Sequence, residues 1–404
     1  MMKKALIVLL IILAIAGIVY AGYTLSTKKT GTNGVPSGGL PEPTQITIGE
    51  EPIGQETANG ASAGPTLLGN ELFSSFSVAS DTSVVAVGLS GKIFRISTDG
   101  SATPLSASLL ENFVSADFAS DSQKIVLSFG APDNRQFSVF DVATRSWTPL
   151  SLGVVSASWK PKSHVLAYAT EKSGLKTVFS LDTDSPKAKS LQLFSLRMED
   201  LVLDWLAPNK ISVSQKPSGL VPGSVLLFDI AKKTFSSPAI DVFGVMLTWD
   251  SAASRALEFF GGQIAKGGDL RMVSASGEVM NKFQFLTLPE KCLFAPEAAP
   301  APTVSTSTKV KASPIIIPEE KNIICAVPSD QSLLTQKTIP DEYYKQSFFT
   351  ADNIYKISLD DGVASLLSGV ANKEVDVKNM ILSGNKLFFL NRADGKIYSL
   401  PLSN

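Results

Sequence analysis

Two carboxylates, one histidine and two cysteines are the side chains of this 404-residue chain whose types and placement could do chemistry. Asp117 and Asp204 each stand one residue ahead of a prominent aromatic, Phe118 and Trp205, where the equivalent positions elsewhere hold Ser158 and Thr248. Two facing carboxylates can divide acid and nucleophile roles, as in glycoside cleavage. The plainer reading is a hydrogen bond to a neighbouring loop. His164 is the sole histidine and falls in a turn between two strand-like runs, which suits a solvated or capping residue better than a triad base at a cleft. One histidine also excludes histidine-rich zinc chemistry. The chain has no Gly-rich phosphate loop, no Cys-x-x-Cys, no His-Glu-x-x-His and no Asn-x-Ser/Thr site. These absences favour binding over catalysis, and no catalytic, cofactor-binding or metal-binding residue is assigned.

The elements that position these groups repeat. Phe76, Phe118, Trp159, Trp205, Trp249 and Phe294 follow one another at steps of 42, 41, 46, 44 and 45 residues. Each opens a unit in which a second, wholly apolar run follows a polar turn, for example Val84-Val85-Ala86-Val87 or Ile323-Ile324-Cys325-Ala326-Val327. Short apolar runs of this kind fit strands buried on both faces. Third strands then read KIFRIST, QFSVFDV, KTVFSLD, SVLLFDI, DLRMVSA, NIYKISL and KIYSLPL. Repeats of about 40–45 residues with four strands each predict a β-propeller, and the third strands count seven blades. The seventh unit ends at Asn404 with no room for a fourth strand. Thr66–Leu68 resembles the fourth strands Thr103-Pro104-Leu105 and Thr148-Pro149-Leu150, so it is expected to pair with Lys396–Leu402 and close the ring, protecting the open edges.

The sixth unit is irregular. Pro296–Glu320 is an Ala/Pro/Ser/Thr-rich insertion, and Pro328–Thr350 contains Pro340-Asp341-Glu342-Tyr343-Tyr344, a signal for one helical turn. Cys292 lies in the first strand of this unit and Cys325 in the second. If the strands are antiparallel with Pro296 opposite Lys321, the two cysteines face each other. A disulfide there would close 33 residues and contribute about 4 kcal/mol on the chain-entropy argument. Two buried free thiols are the alternative, and a metal site lacks further ligands.

Loops between second and third strands lengthen in the middle units. They carry Arg135, Lys172, Lys176, Lys216 and Lys266, interspersed with Asp133, Glu171 and Asp269. With Tyr343 and Tyr344 these form a possible binding face, against the plainer reading of solvated turn charges and a plugged channel mouth.

At the N-terminus, Lys3-Lys4 precede Ala5–Tyr23, a run of 19 residues without a charge. As a helix it would span roughly 28 Å, close to the thickness of a bilayer core. It reads as an uncleaved anchor, with a cleavable signal peptide as the alternative; either way the remainder is exported. The organisation expected is a cytoplasmic stub and transmembrane anchor over 1–27, a disordered Gly/Pro/Ser/Thr linker over 28–65 and a propeller over 66–404 with its insertion at about 296–320. Lys plus Arg number 36 against 37 Asp plus Glu, so no basic field is present to draw nucleic acid.

The segments SADFASDSQKIVLSF (115–129) and SASWKPKSHVLAYAT (156–170) resemble the WD40-like repeats of TolB-type periplasmic propellers. The family's Ser-Pro-Asp-Gly-like turn stands here as the degenerate Ala119-Ser120-Asp121-Ser122 and Lys160-Pro161-Lys162-Ser163. The anchor, the cysteine-bearing sixth unit and the Tyr-Tyr segment also resemble membrane-anchored propellers of small-genome candidate-phylum bacteria, a similarity that implies no activity. TolB-type propellers bind protein partners, but no N-terminal partner domain like theirs is visible. The expectation is a single-pass, extracytoplasmic, non-catalytic module binding a protein or cell-envelope ligand, without cofactor. A propeller hydrolase acting on a glycan or peptide, and a purely structural envelope spacer, are the alternatives.

Overall fold

The computed structural model describes residues 44–46, 64–107, 109–185, 187–262, 264, 267–296, 320–368 and 375–402. The expected membrane segment, most of the 28–65 linker and the insertion from 297 to 319 lie outside the described residues. Among the described residues no helix is long and apolar enough to cross a membrane.

The described domain is all-β apart from short helical turns, and its strands form a β-propeller. Five sheets have four strands and one has eight, and apart from the pairings of Thr44–Ile46 and Thr66–Leu68 the neighbours in each are sequential and antiparallel. The recurring aromatics fall in first strands: Phe73–Val78, Ser115–Phe118, Val154–Trp159, Leu201–Ala207, Thr234–Trp249 and Cys292–Ala295, with Val377–Ser383 as the last member. First strands of units one to four contact in succession, as do those of units five to seven, and Val377–Ser383 contacts Phe73–Val78. The second strands are the most buried, Val84–Gly88 throughout its length. Apolar clusters lie between adjacent sheets, as where Val85 and Ile93 of unit one meet Ile125 and Phe140 of unit two. Burial of each such side chain contributes about 2 kcal/mol, which is why runs apolar on both faces are needed.

The eight-stranded sheet was not foreseen. Its 16-residue strand Thr234–Trp249 pairs with Pro222–Asp229 through one half and with Arg255–Gly261 through the other, so it serves both as the fourth strand of one unit and the first of the next. The ring closes as expected: Thr66, Leu67 and Leu68 pair with Ser399, Tyr398 and Ile397. The Phe73 N–H also donates to the Gly395 carbonyl at 2.7 Å, tying unit one to unit seven.

Cys292 and Cys325 are register partners and are joined as a disulfide, with Cα atoms 4.1 Å apart. The linker expectation needs one correction. Thr44–Ile46, placed in the disordered 28–65 segment, forms a strand parallel to Val279–Phe283. Ile46 is 1% exposed against Phe283, Phe285 and Leu359, and its carbonyl accepts the Gln284 N–H at 2.7 Å. The segment thereby covers a sheet edge and fills the apolar hollow beside it.

The degenerate turns have a backbone signature. Thr82, Ser122, Lys162 and Ala253 hold φ of 64°, 61°, 55° and 50° in turns that follow first strands. This left-handed region suits glycine and is most costly for a β-branched residue. Thr82 is exposed, so Thr82→Gly removes strain without removing packing. We expect it to stabilise the domain by about 1 kcal/mol in urea unfolding; an unchanged or lower midpoint would refute this.

Candidate functional site

The segment from Ser329 to Ala351, between the second and third strands of unit six, is the largest departure from a plain repeat. It folds into two short helices, α1 (Ser332–Gln336) and α2 (Asp341–Tyr344). The sequence signalled only the second, and Pro340 sits just before it as the N-cap residue. The segment reaches across the loops of units four and five. Asp341 accepts hydrogen bonds from the Ser218 hydroxyl at 3.0 Å and the Gly219 N–H at 2.7 Å. A Cβ on Gly219 would lie 2.5 Å from the Ile339 carbonyl oxygen, and one on Gly267 would lie 2.6 Å from the Leu334 oxygen. Backbone approaches backbone here too closely for any other residue.

Beneath α2 lies a buried ionic cluster. Lys291, which ends the helical turn Pro289–Lys291, has its Nζ 2.7 Å from Asp352 Oδ2, 2.6 Å from Asp376 Oδ1 and 2.6 Å from Thr350 Oγ1. Arg392 Nη1 lies 2.6 Å from Asp376 Oδ2, and Nη2 donates to the Tyr343 carbonyl at 2.7 Å. Its guanidinium also stacks 3.6 Å from the Tyr343 ring centroid. Two cations and two carboxylates balance, which is what lets ions persist away from water. Burial raises the Asp352 carboxyl above its ordinary range, Lys291 pulls it back and Asp376 pushes it further up. Burial, then Glu290, holds the Tyr343 hydroxyl well above its ordinary value. The cluster rivets the start of unit six, the start of unit seven and the capping segment into one body.

Two members of the expected binding face are corrected by this geometry. Tyr343 is 1% exposed and belongs to the core, so it offers no contact to a partner. Lys176 is also buried, because its register partner Glu171 lies across the hairpin and holds its Nζ at 2.6 Å. Tyr344 stays 43% exposed, Lys172 and Lys216 are exposed, Arg135 is half-buried, and Lys266 lies outside the described residues.

Asp117 and Asp204 line the inner strands, and Asp117 shows why a polar residue precedes the aromatic. Its Oδ1 accepts the Phe118 N–H at 2.9 Å and its Oδ2 the Trp159 N–H at 3.2 Å, while Trp159 Nε1 donates back to the Asp117 carbonyl at 3.1 Å. Ser158 accepts the Trp205 N–H at 3.1 Å in the same way one unit on. The position is a tie between units, as the plainer reading held. Burial and then the charge of Asp204 push Asp117 up to about 7, and burial pushes Asp204 up to about 6. With folded values above the ordinary carboxylate range, the folded state binds more protons between about pH 4 and 7, so stability falls as pH rises through that window. Asp204→Asn should flatten the slope and raise stability at pH 8 by about 1 kcal/mol, discounted because the side chain reaches water. Urea midpoints at pH 5 and pH 8 test this; an unchanged slope would count against it.

His164 is likewise a tie. Its Nδ1 is 2.9 Å from Asp184 and its Nε2 is 2.9 Å from Asp121 of the preceding unit. With both ring nitrogens engaged by carboxylates, neither is free to take a proton from a nucleophile. Lys291, Asp352, Asp376 and Arg392 escaped sequence reasoning. Their one signal was a charge abutting an apolar strand, as in Lys291 beside Cys-Leu-Phe.

No protein-family model matches the chain, and no curated protein matches it. Solved structures do. The chain is similar to the tricorn protease (11% identity, TM-score 0.49, covering 85% of this chain and 34% of that one). It is similar to the β-propeller domain of the Trilobed protease from Pyrococcus furiosus (13%, 0.46, 81% and 95%). It is also similar to TolB from Acinetobacter baumannii (15%, 0.38, 52% and 53%). The chain thus spans about a third of the tricorn protease and about half of TolB. The closed ring of successive antiparallel sheets is the architecture of a β-propeller.

Proposed function

We propose that this chain is a seven-bladed, membrane-anchored propeller outside the cytoplasm that binds a protein or cell-envelope partner without catalysis. The observation that carries the binding role is an asymmetry of exposed apolar side chains. In each unit the loops from second to third strand and the connections between units share one face. Leu89, Leu109, Leu152, Leu175, Leu220 and Tyr344 are all exposed on that face, at 61%, 67%, 85%, 40%, 47% and 43%. The turns at the opposite end carry fewer, Leu191, Phe235 and Val363, among polar residues such as Ser80-Asp81-Thr82. Apolar groups gathered on one face of a rigid ring mark an interaction surface.

A count of seven blades follows if the eight-stranded sheet is taken as two blades sharing Thr234–Trp249, with Thr44–Ile46 added at its edge. Export is supported by the Cys292–Cys325 disulfide, since such bonds persist in oxidising compartments. The anchor over 1–27 and the linker over 28–65 rest on the apolar run before Tyr23. The hydrolase alternative would place its acids at Asp117 and Asp204, yet both Asp117 oxygens already hold backbone N–H groups.

A photo-crosslinking residue placed at Leu220 or Tyr344 should capture a discrete partner in native membranes, while one at Ser80 should not. Equal capture from both faces, or none from the loop face, would overturn the binding reading. Added protease should reach the propeller domain in spheroplasts; protection there would overturn the topology.

A further inference from the structure

The connection leaving unit one and the loop Gly130–Arg135 of unit two enclose a cleft of about 440 Å³ on the loop face. Its walls are fixed by backbone bonds. The Leu110 N–H donates to the Ser90 carbonyl at 3.0 Å, and the Gly130 N–H donates to the carbonyls of Glu111 and Asn112 at 3.1 and 3.2 Å. The Asn134 N–H closes the turn on Ala131 at 3.0 Å, and Asn112 is held at φ 50°, where asparagine is among the tolerated residues. Phe129, half-buried, lies opposite Gln136 in the hairpin register and, with Leu110, makes an apolar floor, while the exposed Leu109 stands at the rim.

Around that floor stand Asn112, Asn134 and Gln136, all exposed, with Glu111. Among the described residues none of the three amide side chains has a hydrogen-bond partner, so six donor hydrogens and three acceptor oxygens face the cleft or its water. The lining has no lysine or arginine, and its one charge is negative. That composition repels an anion and holds a cation poorly. It matches a ligand whose polar groups are each both donor and acceptor and whose body has an apolar face. Pyranose hydroxyls meet the first requirement and the C–H face of the ring meets the second. The volume falls within the range of small-ligand sites.

We propose that this cleft binds a segment of neutral oligosaccharide. The inference deepens the envelope-binding reading and rests on it only for where the sugar comes from. The full chain, in a zwitterionic detergent without a sugar headgroup, should be titrated calorimetrically with maltotetraose, cellotetraose and chitotetraose. At least one should bind with a Kd of about 1 mM or tighter. Asn134→Ala with Gln136→Ala should weaken it about tenfold or more, with an unchanged thermal midpoint. No binding by any of the three up to about 10 mM, equal affinity in the double variant, or equally tight binding of tetra-alanine would overturn it. Capture from Leu220 or Tyr344 does not depend on Asn134 or Gln136, so a failed titration leaves that result standing, and failed capture leaves the titration standing.

Discussion

Lys291→Met will destabilise the propeller by about 3–5 kcal/mol at pH 8, the cost of breaking a buried ion pair by removing one partner. The lysine is fully buried and holds Asp352 and Asp376 at 2.7 and 2.6 Å. Asp376 keeps Arg392 after the substitution, but among the described residues Asp352 loses its one cation and retains the Val377 N–H at 2.8 Å. The loss is therefore mostly the cost of an orphaned buried carboxylate rather than of lost packing. Two consequences separate these causes. The double variant Lys291→Met, Asp352→Leu removes both charges and should recover most of the stability, since an apolar pair can replace a buried ion pair with little cost. The deficit of the single variant should also shrink toward pH 4, because a carboxyl whose folded value is already raised takes up a proton first there. Urea unfolding followed by tryptophan fluorescence reads both. A deficit that persists in the double variant and ignores pH would show that the lysine acts by packing.

Loss of the disulfide will cost about 4 kcal/mol, measured either as Cys292→Ala with Cys325→Ala or as the shift of the urea midpoint on adding a reductant. The bond links residues 33 apart in sequence, and its stabilisation on the chain-entropy argument grows with the logarithm of that separation. Deleting residues 297–319 leaves a closed loop of about ten residues, and the same reduction should then cost about 3 kcal/mol. The difference between the two backgrounds, about 1 kcal/mol, is the more telling quantity. If reduction costs the same in both, the stabilisation does not come from restricting the unfolded chain. Both cysteines are buried, at 5% and 0% exposure, so alanine there also removes some packing. The reductant arm is free of that effect.

Much of the ring was legible because its causes are local. An aromatic ahead of a polar turn and a run apolar at every position describe a strand at the inner edge and one buried between sheets. Residue spacing then sets the repeat. Pairing within an antiparallel hairpin obeys a constant sum of residue numbers, which is why Cys292 could be set opposite Cys325 before any coordinates, whereas Thr66–Leu68 was matched to the strand from Lys396 by its likeness to the fourth strands of other units. The site was far less legible. Lys291, Asp352, Asp376 and Arg392 come from four separate places in the chain, and nothing in the short neighbourhood of each announces the others. Asp341 finds Ser218 and Gly219 more than a hundred residues away. The type of a side chain does not disclose the face it takes either, and so Tyr343, which seemed a surface aromatic, is core while its neighbour Tyr344 is exposed.

By itself, then, the sequence determined the all-β repeat, the strand order within each unit and the disulfide through side-chain periodicity or hairpin register acting over a few tens of residues, and the ring's closure through the likeness of Thr66–Leu68 to the fourth strand that the last unit lacks. Only the tertiary structure decided that Ile46 fills an edge, that units four and five share one strand, and that the segment after Pro328 lies across units four and five above a buried ionic cluster. Those outcomes depend on where a closed ring leaves unpaired backbone, hollow space and unbalanced charge. Such vacancies exist only once all the sheets are in place.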